Sequence, residues 1–262
     1  WLRRLNIPGC RWRFSGGWWC LAPGLIIPPG RGLRLSAARG FIRFGGKHFA
    51  GRKFELQPQA VVFDIGNVLT CWTPEAFYDR VIGEARRREL FAEVDLHGMN
   101  LAVDAGALFR ETIYEWAGAN PKWAVEIRWW YDRWIELASP RIEGSIALLR
   151  ALRAKGVPVF ALTNFGKDSF VEALPRLDFL SEFDRKYVSG VMGVVKPDPL
   201  IYQMVEQDCG LTGAQLLFTD DRADNITAAA RRGWRTHQFE SWQGWARRLV
   251  AEGLLTEQEA GI

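Results

Sequence analysis

Three apolar runs in this chain end abruptly in polar residues. "AVVFD" closes on Asp64, "VPVFALTN" on Thr163 and Asn164, and "QLLFTDD" on Asp220 and Asp221. A lysine, Lys196, stands in the loop "GVVKPDP". A buried strand tip has no structural need of carboxylates, and three brought together repel one another unless a cation shares them. Hard oxygen ligands beside a lysine are what Mg²⁺ and a phosphate group require. Taken alone, Asp220 and Asp221 read equally well as caps of the helix that follows. All the pieces together, in this order and at strand ends, point to one site.

The elements that must position these residues are regular from residue 59 onward. Strands at "AVVFDIG", "VPVFALTN", "YVSGVMG", "QLLFTDD" and "WRTHQF" alternate with helices at "IEGSIALLRALRAKG", "KDSFVEALPRL", "PDPLIYQMVEQDCG", "ADNITAAARRG" and "SWQGWARRLVAEG". Apolar strands separated by amphipathic helices predict a parallel sheet covered on both faces. Such sheets bind ligands beyond the carboxyl ends of their strands, so the polar tips converge. Residues 74–138 hold no strand and read as "TPEAFYDRVIGEARRRELF", "DAGALFRETIYEWAG" and "NPKWAVEIRWWYDRWIELAS". Trp123, Ile127, Trp130 and Trp134 recur on one face of the last helix, a spacing that reads as core. The expected fold is α/β. A Rossmann-like three-layer core spans 58–73 and 139–262, with an all-helical cap, 74–138, inserted after the first strand.

The composition, 48% hydrophobic and 24% charged, is that of a globular protein, and its net charge of +4 comes from one end. Residues 1–54 carry eleven Lys and Arg and no acid; the other 23 basic and 30 acidic residues leave the remainder at −7. Nucleic acid is therefore not an expected partner of the folded part. The basic tract 1–57, with scattered Gly, Pro and Trp, is expected to be an extension outside the fold. A targeting leader and a nucleic-acid-binding arm are the readings weighed against that. No apolar run reaches the ~18 residues of a membrane span. Cys10, Cys20, Cys71 and Cys209 lack metal-ligand or CxxC spacing, which suggests reduced thiols and a cytoplasmic setting, with Cys71 a small buried residue.

The motifs "FDIGNVL", "LTN", "VVKPDPLIY" and "LLFTDDRADNITAAARRG", in this order, resemble those of the haloacid dehalogenase superfamily of aspartate-nucleophile hydrolases over about residues 59–240. The helical insert resembles that superfamily's C1 cap, as in subfamily IA. "DxGNV" and "DDxADN" are most similar to its α-D-glucose-1-phosphate phosphatases. The resemblance implies a Mg²⁺-dependent phosphomonoesterase acting on a small phosphorylated metabolite. Asp64 would attack phosphorus and form an aspartyl-phosphate. Its other oxygen, the Gly66 carbonyl and Asp221 would hold Mg²⁺, with Asp220 as ligand or supporting partner. Thr163 and the Asn164 amide would bind phosphoryl oxygens, and Lys196 would neutralise both the phosphate and Asp64.

One position departs from that pattern. Most phosphatases of the superfamily carry a second Asp where this chain has Gly66, and that side chain protonates the leaving oxygen. General acid help is worth about 10²–10⁴-fold. A sugar 1-phosphate, leaving as a hemiacetal oxygen, tolerates its loss better than a simple alkoxide does. His97 in the cap is a candidate replacement, although a lone histidine there reads more readily as structural. Asp224 reads as a helix cap and Asn225 as indirect support for the metal. Trp129, Tyr131 and the loop after Asp95 are candidates for specificity. Two other functions stay open: dehalogenation, which lacks the paired acids of "TDD", and a non-catalytic regulator that binds phosphate or a protein.

Overall fold

The structure is a computed structural model, and it describes residues 57–262. The expectations for the tract 1–57, with Cys10 and Cys20, fall outside the described residues except at Gln57. Its side-chain amide donates to the Gly253 carbonyl at 3.1 Å.

Five strands form one parallel sheet: β1 (Ala60–Phe63), β2 (Val159–Thr163), β3 (Arg185–Val188), β4 (Leu216–Asp220) and β5 (Arg235–Gln238). Their order is β3-β2-β1-β4-β5. The winding reverses between β1 and β4, which opens a crevice over the carboxyl ends of those two strands. Register decides what meets there. Phe63 pairs with Thr219, so Asp64 comes level with Asp220. Phe63 also pairs with Ala161, so Thr163 reaches two residues further.

Between β1 and β2 the chain is helical: α1 (Pro74–Ile82), α2 (Glu84–Glu93), α3 (Leu96–Asp104), α4 (Phe109–Ala119), α5 (Ala124–Asp132) and α6 (Trp134–Leu137). The insert is all-helical as expected but more finely divided. Gly83, at φ +80°, ends the first expected helix midway, in a conformation that glycine adopts without strain. The expected loop after Asp95 is α3 instead. Asp95 caps it, its carboxylate accepting the Gly98 N–H at 2.8 Å. Trp123, Ile127, Trp130 and Trp134 are all buried, as their spacing predicts.

The core continues with α7 (Glu143–Ala154), α8 (Lys167–Ala173), α9 (Ser189–Met192), α10 (Pro199–Cys209), α11 (Ala223–Arg231), α12 (Trp242–Ala251) and α13 (Glu257–Ala260). Strand residues alternate between two cores. Val61 and Phe63 pack with Leu149 of α7 and Trp245 of α12, while Ala60 and Val62 pack with Tyr202 of α10 and Ala229 of α11. Trp245 meets Phe63 edge to face at 5.7 Å; fully burying a side chain of that size is worth about 1.5–3 kcal/mol or more. The strand expected at "YVSGVMG" lies earlier. Val188, level with Thr163, closes it, and Ser189–Met192 turns helical. Cys71 is half-buried rather than buried, and both it and Cys209 are free thiols. Among the described residues, no helix is long and apolar enough to cross a membrane.

Candidate active site

The turn after β1 builds the first part of the site. The Asp64 N–H still bonds to the Thr219 carbonyl at 2.9 Å, extending the β1–β4 ladder by one residue. The chain then folds back, with the Val68, Leu69 and Thr70 N–H groups all directed to the Ile65 carbonyl. Asn67 occupies the left-handed region at φ 54°, which asparagine tolerates better than most residues. This turn aims the Asp64 carboxylate back over the strand ends, where Oδ1 accepts the Ile65 N–H at 2.7 Å.

Carboxylate oxygens of Asp64, Asp220 and Asp221 lie within 4.8 Å of one another. Lys196 is buried among them. Its ammonium reaches Asp64 Oδ1 at 2.9 Å and Asp220 Oδ2 at 2.7 Å, and donates to the Leu162 carbonyl at 2.9 Å. These three contacts use all three of its protons. Burial disfavours the charged lysine, but Asp220 and Asp64 outweigh it and hold the ammonium above its ordinary pKa. Burial likewise pushes the Asp64 carboxyl up; Lys196 pulls it back, and Asp220 and Asp221 push it up again. Three acids against one lysine leave an excess of negative charge in a buried place. That donor set, oxygen only and over-charged, fits a hard divalent cation.

The two neighbouring acids are not equivalent. Asp220 is fully buried, and its oxygens accept from Lys196, from the Arg222 N–H at 2.9 Å, and from Asn225 Nδ2 at 2.9 and 3.0 Å. Its hydrogen-bonding capacity goes to orienting the lysine. Asp221 is half-exposed, and its one bond from another side chain comes from Asn67 Nδ2 to Oδ2 at 3.0 Å. Asp64 and Asp221 therefore keep the free oxygens that a metal would take, while Asp220 supports from behind. Asn225 in turn holds Asp220 in place.

Thr163 is buried at the end of β2, in the same strand-end layer. Asn164 acts through its side chain as well as its position: Oδ1 accepts the Lys196 N–H at 2.7 Å and Nδ2 donates to the Lys196 carbonyl at 2.9 Å. The loop that carries the lysine is thus clamped to β2. Gly66 is demanded neither by backbone nor by space. Its φ is not positive, and a Cβ there would sit 3.8 Å from Trp72 Cβ, an ordinary contact.

The remaining candidates have partners of their own. His97 Nε2 pairs with Glu75 at 3.2 Å inside the cap, and its side chain is 63% exposed. Asp224 does not cap α11; it is exposed, with Arg222 at 3.8 Å, and no side chain caps that helix. Tyr131 donates to Glu172 of α8 at 3.2 Å, and Trp129 packs on Tyr78. Two residues escaped the sequence reading. Asn67 orients Asp221. Asp104, the last residue of α3, is half-buried over the strand-end loops, bonded to Asn100 at 2.9 Å and within the field of Lys196. The signal for Asp104 was an acid at a helix C-terminus, where the dipole disfavours it; reading it required knowing where α3 ends.

Residues 58–233 match the family model of the haloacid dehalogenase-like hydrolases. The chain belongs to this family. Among curated members of the wider sequence neighbourhood, it is 21% identical over 202 residues to the drimenol cyclase drtB of Aspergillus calidoustus. It is 31% identical over 87 residues to the sesquiterpene phosphatase astK of Aspergillus oryzae. These alignments cover 73% and 33% of this chain, but only 36% and 44% of the relatives' own lengths. Among solved structures, a haloacid dehalogenase family enzyme of Bacteroides thetaiotaomicron superposes with a TM-score of 0.58, at 21% identity, covering 74% of this chain and 98% of that one. The same enzyme has been solved in complex with magnesium and inorganic phosphate, with a TM-score of 0.52. The L-2-haloacid dehalogenase of Xanthobacter autotrophicus, with chloropropionic acid covalently bound, superposes at 0.51 and 20% identity, covering 78% and 86%. These similarities establish the haloacid dehalogenase fold: the five-stranded parallel sheet with its helical layers.

Proposed function

We propose that this hydrolase is a Mg²⁺-dependent phosphomonoesterase of a small phosphorylated metabolite. The observation that carries the reading is the cluster of Asp64, Asp220 and Asp221 closed by Lys196. Dehalogenation would use Asp64 alone and has no need of the surplus negative charge; a magnesium phosphate ester complex has. Mg²⁺, when bound by Asp64, Asp221 and the Gly66 carbonyl, would offset charge on the phosphoryl oxygens.

The chain's own residues do the rest. One Asp64 carboxylate oxygen attacks phosphorus, the other being the one a metal would take; the ester P–O bond breaks, and its electron pair leaves with the alcohol oxygen. Water then displaces Asp64 from the aspartyl-phosphate, releasing inorganic phosphate. Thr163 and the Asn164 N–H hold phosphoryl oxygens in line, and Lys196 favours the ionised form of Asp64 and faces the incoming charge. Asp220 and Asn225 fix Lys196 from behind, as Asn67 fixes Asp221. The kinship with α-D-glucose-1-phosphate phosphatases belongs to the same proposal: without an acid at Gly66, a hemiacetal leaving group is favoured, unless an acid reaches the site from elsewhere.

Hydrolysis of a panel of sugar, polyol, nucleoside and terpenyl monophosphates, with Mg²⁺ and with EDTA, tests the reading. Activity that needs Mg²⁺ and is lost in Asp64→Asn is expected. Metal-independent release of halide from 2-haloacids, or inertness toward every phosphate, would refute it.

A further inference from the structure

We propose that Asp104, delivered from the cap, is the general acid and base of this site, taking the role that Gly66 leaves empty. The inference rests on the phosphatase reading above and deepens it.

The cap and the catalytic loops meet closely at the end of α3. The Ser189 hydroxyl donates to the Asp104 carbonyl at 2.6 Å and accepts the Phe165 N–H at 2.9 Å. A Cβ on Gly166 would fall 2.4 Å from Val103 Cγ1, so the cap approaches the loop that follows Thr163 and Asn164 too closely for a side chain there. This joint fixes the backbone of Asp104 against the loop that would hold the phosphate.

Its carboxyl is aimed as firmly as its backbone. Asn100 Nδ2 donates to Oδ2 at 2.9 Å, while Asn100 Oδ1 accepts from Trp130 Nε1 at 2.9 Å. Trp130 packs edge to face on Trp72 at 5.7 Å, and Trp72 flanks Gly66. A chain of side-chain contacts thus links Asp104 through Asn100, Trp130 and Trp72 to Gly66. The Gly166 N–H bonds to the Asp104 carboxyl, and the Lys196 charge acts on it through space.

A joint that only had to hold the cap down would not need an acid, since an amide oxygen could accept the Asn100 bond as well. The setting instead suits a group that carries a proton. Burial pushes the Asp104 carboxyl up to about 7, against Lys196 and the Gly166 N–H, which both favour its charged form. The C-terminal end of α3 also disfavours the anion. Lys196 is the charged group that acts on it from the core. The loop 164–166 and α9 bring no titratable side chain, α8 opens with Lys167 and Asp168, and His97 of its own helix is turned to Glu75.

The chemistry then balances. As Asp64 attacks phosphorus and the ester P–O bond breaks, the leaving oxygen takes the proton of Asp104 and departs as the alcohol. In the second step the Asp104 carboxylate takes a proton from water as the water oxygen attacks the aspartyl-phosphate. Asp64 is released, inorganic phosphate forms, and Asp104 is again protonated. With that proton supplied, Gly66 no longer restricts the leaving group to sugar 1-phosphates.

The test compares wild type, Asp104→Asn, Gly66→Asp and the double variant in full chain, with Mg²⁺. The substrates are p-nitrophenyl phosphate and an alkyl phosphate. Asp104→Asn is expected to lower kcat for the alkyl ester about 10²–10⁴-fold, to retain the burst of p-nitrophenolate, and to lose the alkaline limb of the pH profile. Gly66→Asp, for which there is room, is expected to restore turnover in the double variant. Equal slowing of the first, alcohol-releasing step with both substrates, or no restoration by Gly66→Asp, would overturn the proposal and leave Asp104 as a cap latch. A wild type inert toward both esters would overturn the phosphatase reading itself, and this proposal with it. Should Asp104→Asn not fold, the wild-type burst rate against leaving-group pKa decides: a shallow slope supports acid assistance, and a steep one refutes it.

Discussion

Replacing Lys196 by methionine keeps the length of the side chain and removes its charge, so it isolates the electrostatic part of the site. The lysine is 3% exposed, Asp220 is fully buried and Asp64 is 7% exposed. Their contacts at 2.7 and 2.9 Å cannot be replaced by water without opening the core. Removing one partner of a buried ion pair costs about 3–5 kcal/mol, mostly because the other charge is stranded. For a domain of this size that is a fall in Tm of roughly 6–20 °C. The loss must also depend on pH. Burial already raises the Asp64 carboxyl, and Lys196 is the largest influence opposing it. Without the ammonium, Asp64 holds its proton still more tightly when folded than when unfolded. Such groups contribute stability below their unfolded pKa and lose it as pH rises through the folded value. With the lysine in place the Asp64 carboxyl already sits at about 7, so the deficit of the variant grows from about pH 7 to about pH 9. Urea unfolding followed by tryptophan fluorescence, in EDTA so that no cation takes the place of the ammonium, reads it directly. A loss under about 1 kcal/mol at the higher pH, within the range of an exposed pair, would refute the reasoning. So would an equal loss at both pH values.

Two further outcomes follow from single contacts. Asn67→Ala removes the side chain that orients Asp221; the apparent Mg²⁺ affinity should fall about 10–100-fold, seen as a shift in the Mg²⁺ dependence of activity, and an unshifted dependence would deny Asn67 that role. Gly190→Ala would place a Cβ 2.5 Å from the Lys167 nitrogen and 2.9 Å from the Phe165 carbonyl oxygen. Both are backbone atoms, so the loop must move, at a cost of about 1–3 kcal/mol; thermal unfolding measures it, and no change in Tm would show that the joint yields freely.

Much of the site was legible because it depends on strand ends. An apolar run that stops at Asp64, at Thr163 or at Asp220 declares both a buried strand and a polar tip, and parallel topology carries every such tip to the same edge. Lys196 needed only a loop near that edge. The helical insert was equally plain, since nothing between Pro74 and Leu137 alternates with a strand's period, and the stripe of Trp123, Ile127, Trp130 and Trp134 is buried although the structure divides it among three successive helical segments.

What the sequence could not show depends on distances across the chain. Asp220 and Asp221 are adjacent and chemically identical, yet one is sealed behind Lys196 and Asn225 while the other faces Asn67, a partner 154 positions away. His97 and Asp104 both lie in the cap; the turn of α3 sends the first to Glu75 and the second toward Gly166 and Lys196. Periodicity reports which face a residue shares with its neighbours in one element. Which oxygen is left free, and which acid overhangs the catalytic loop, is decided when separate elements close on one another, because charge and hydrogen bonding act through space and not along the chain.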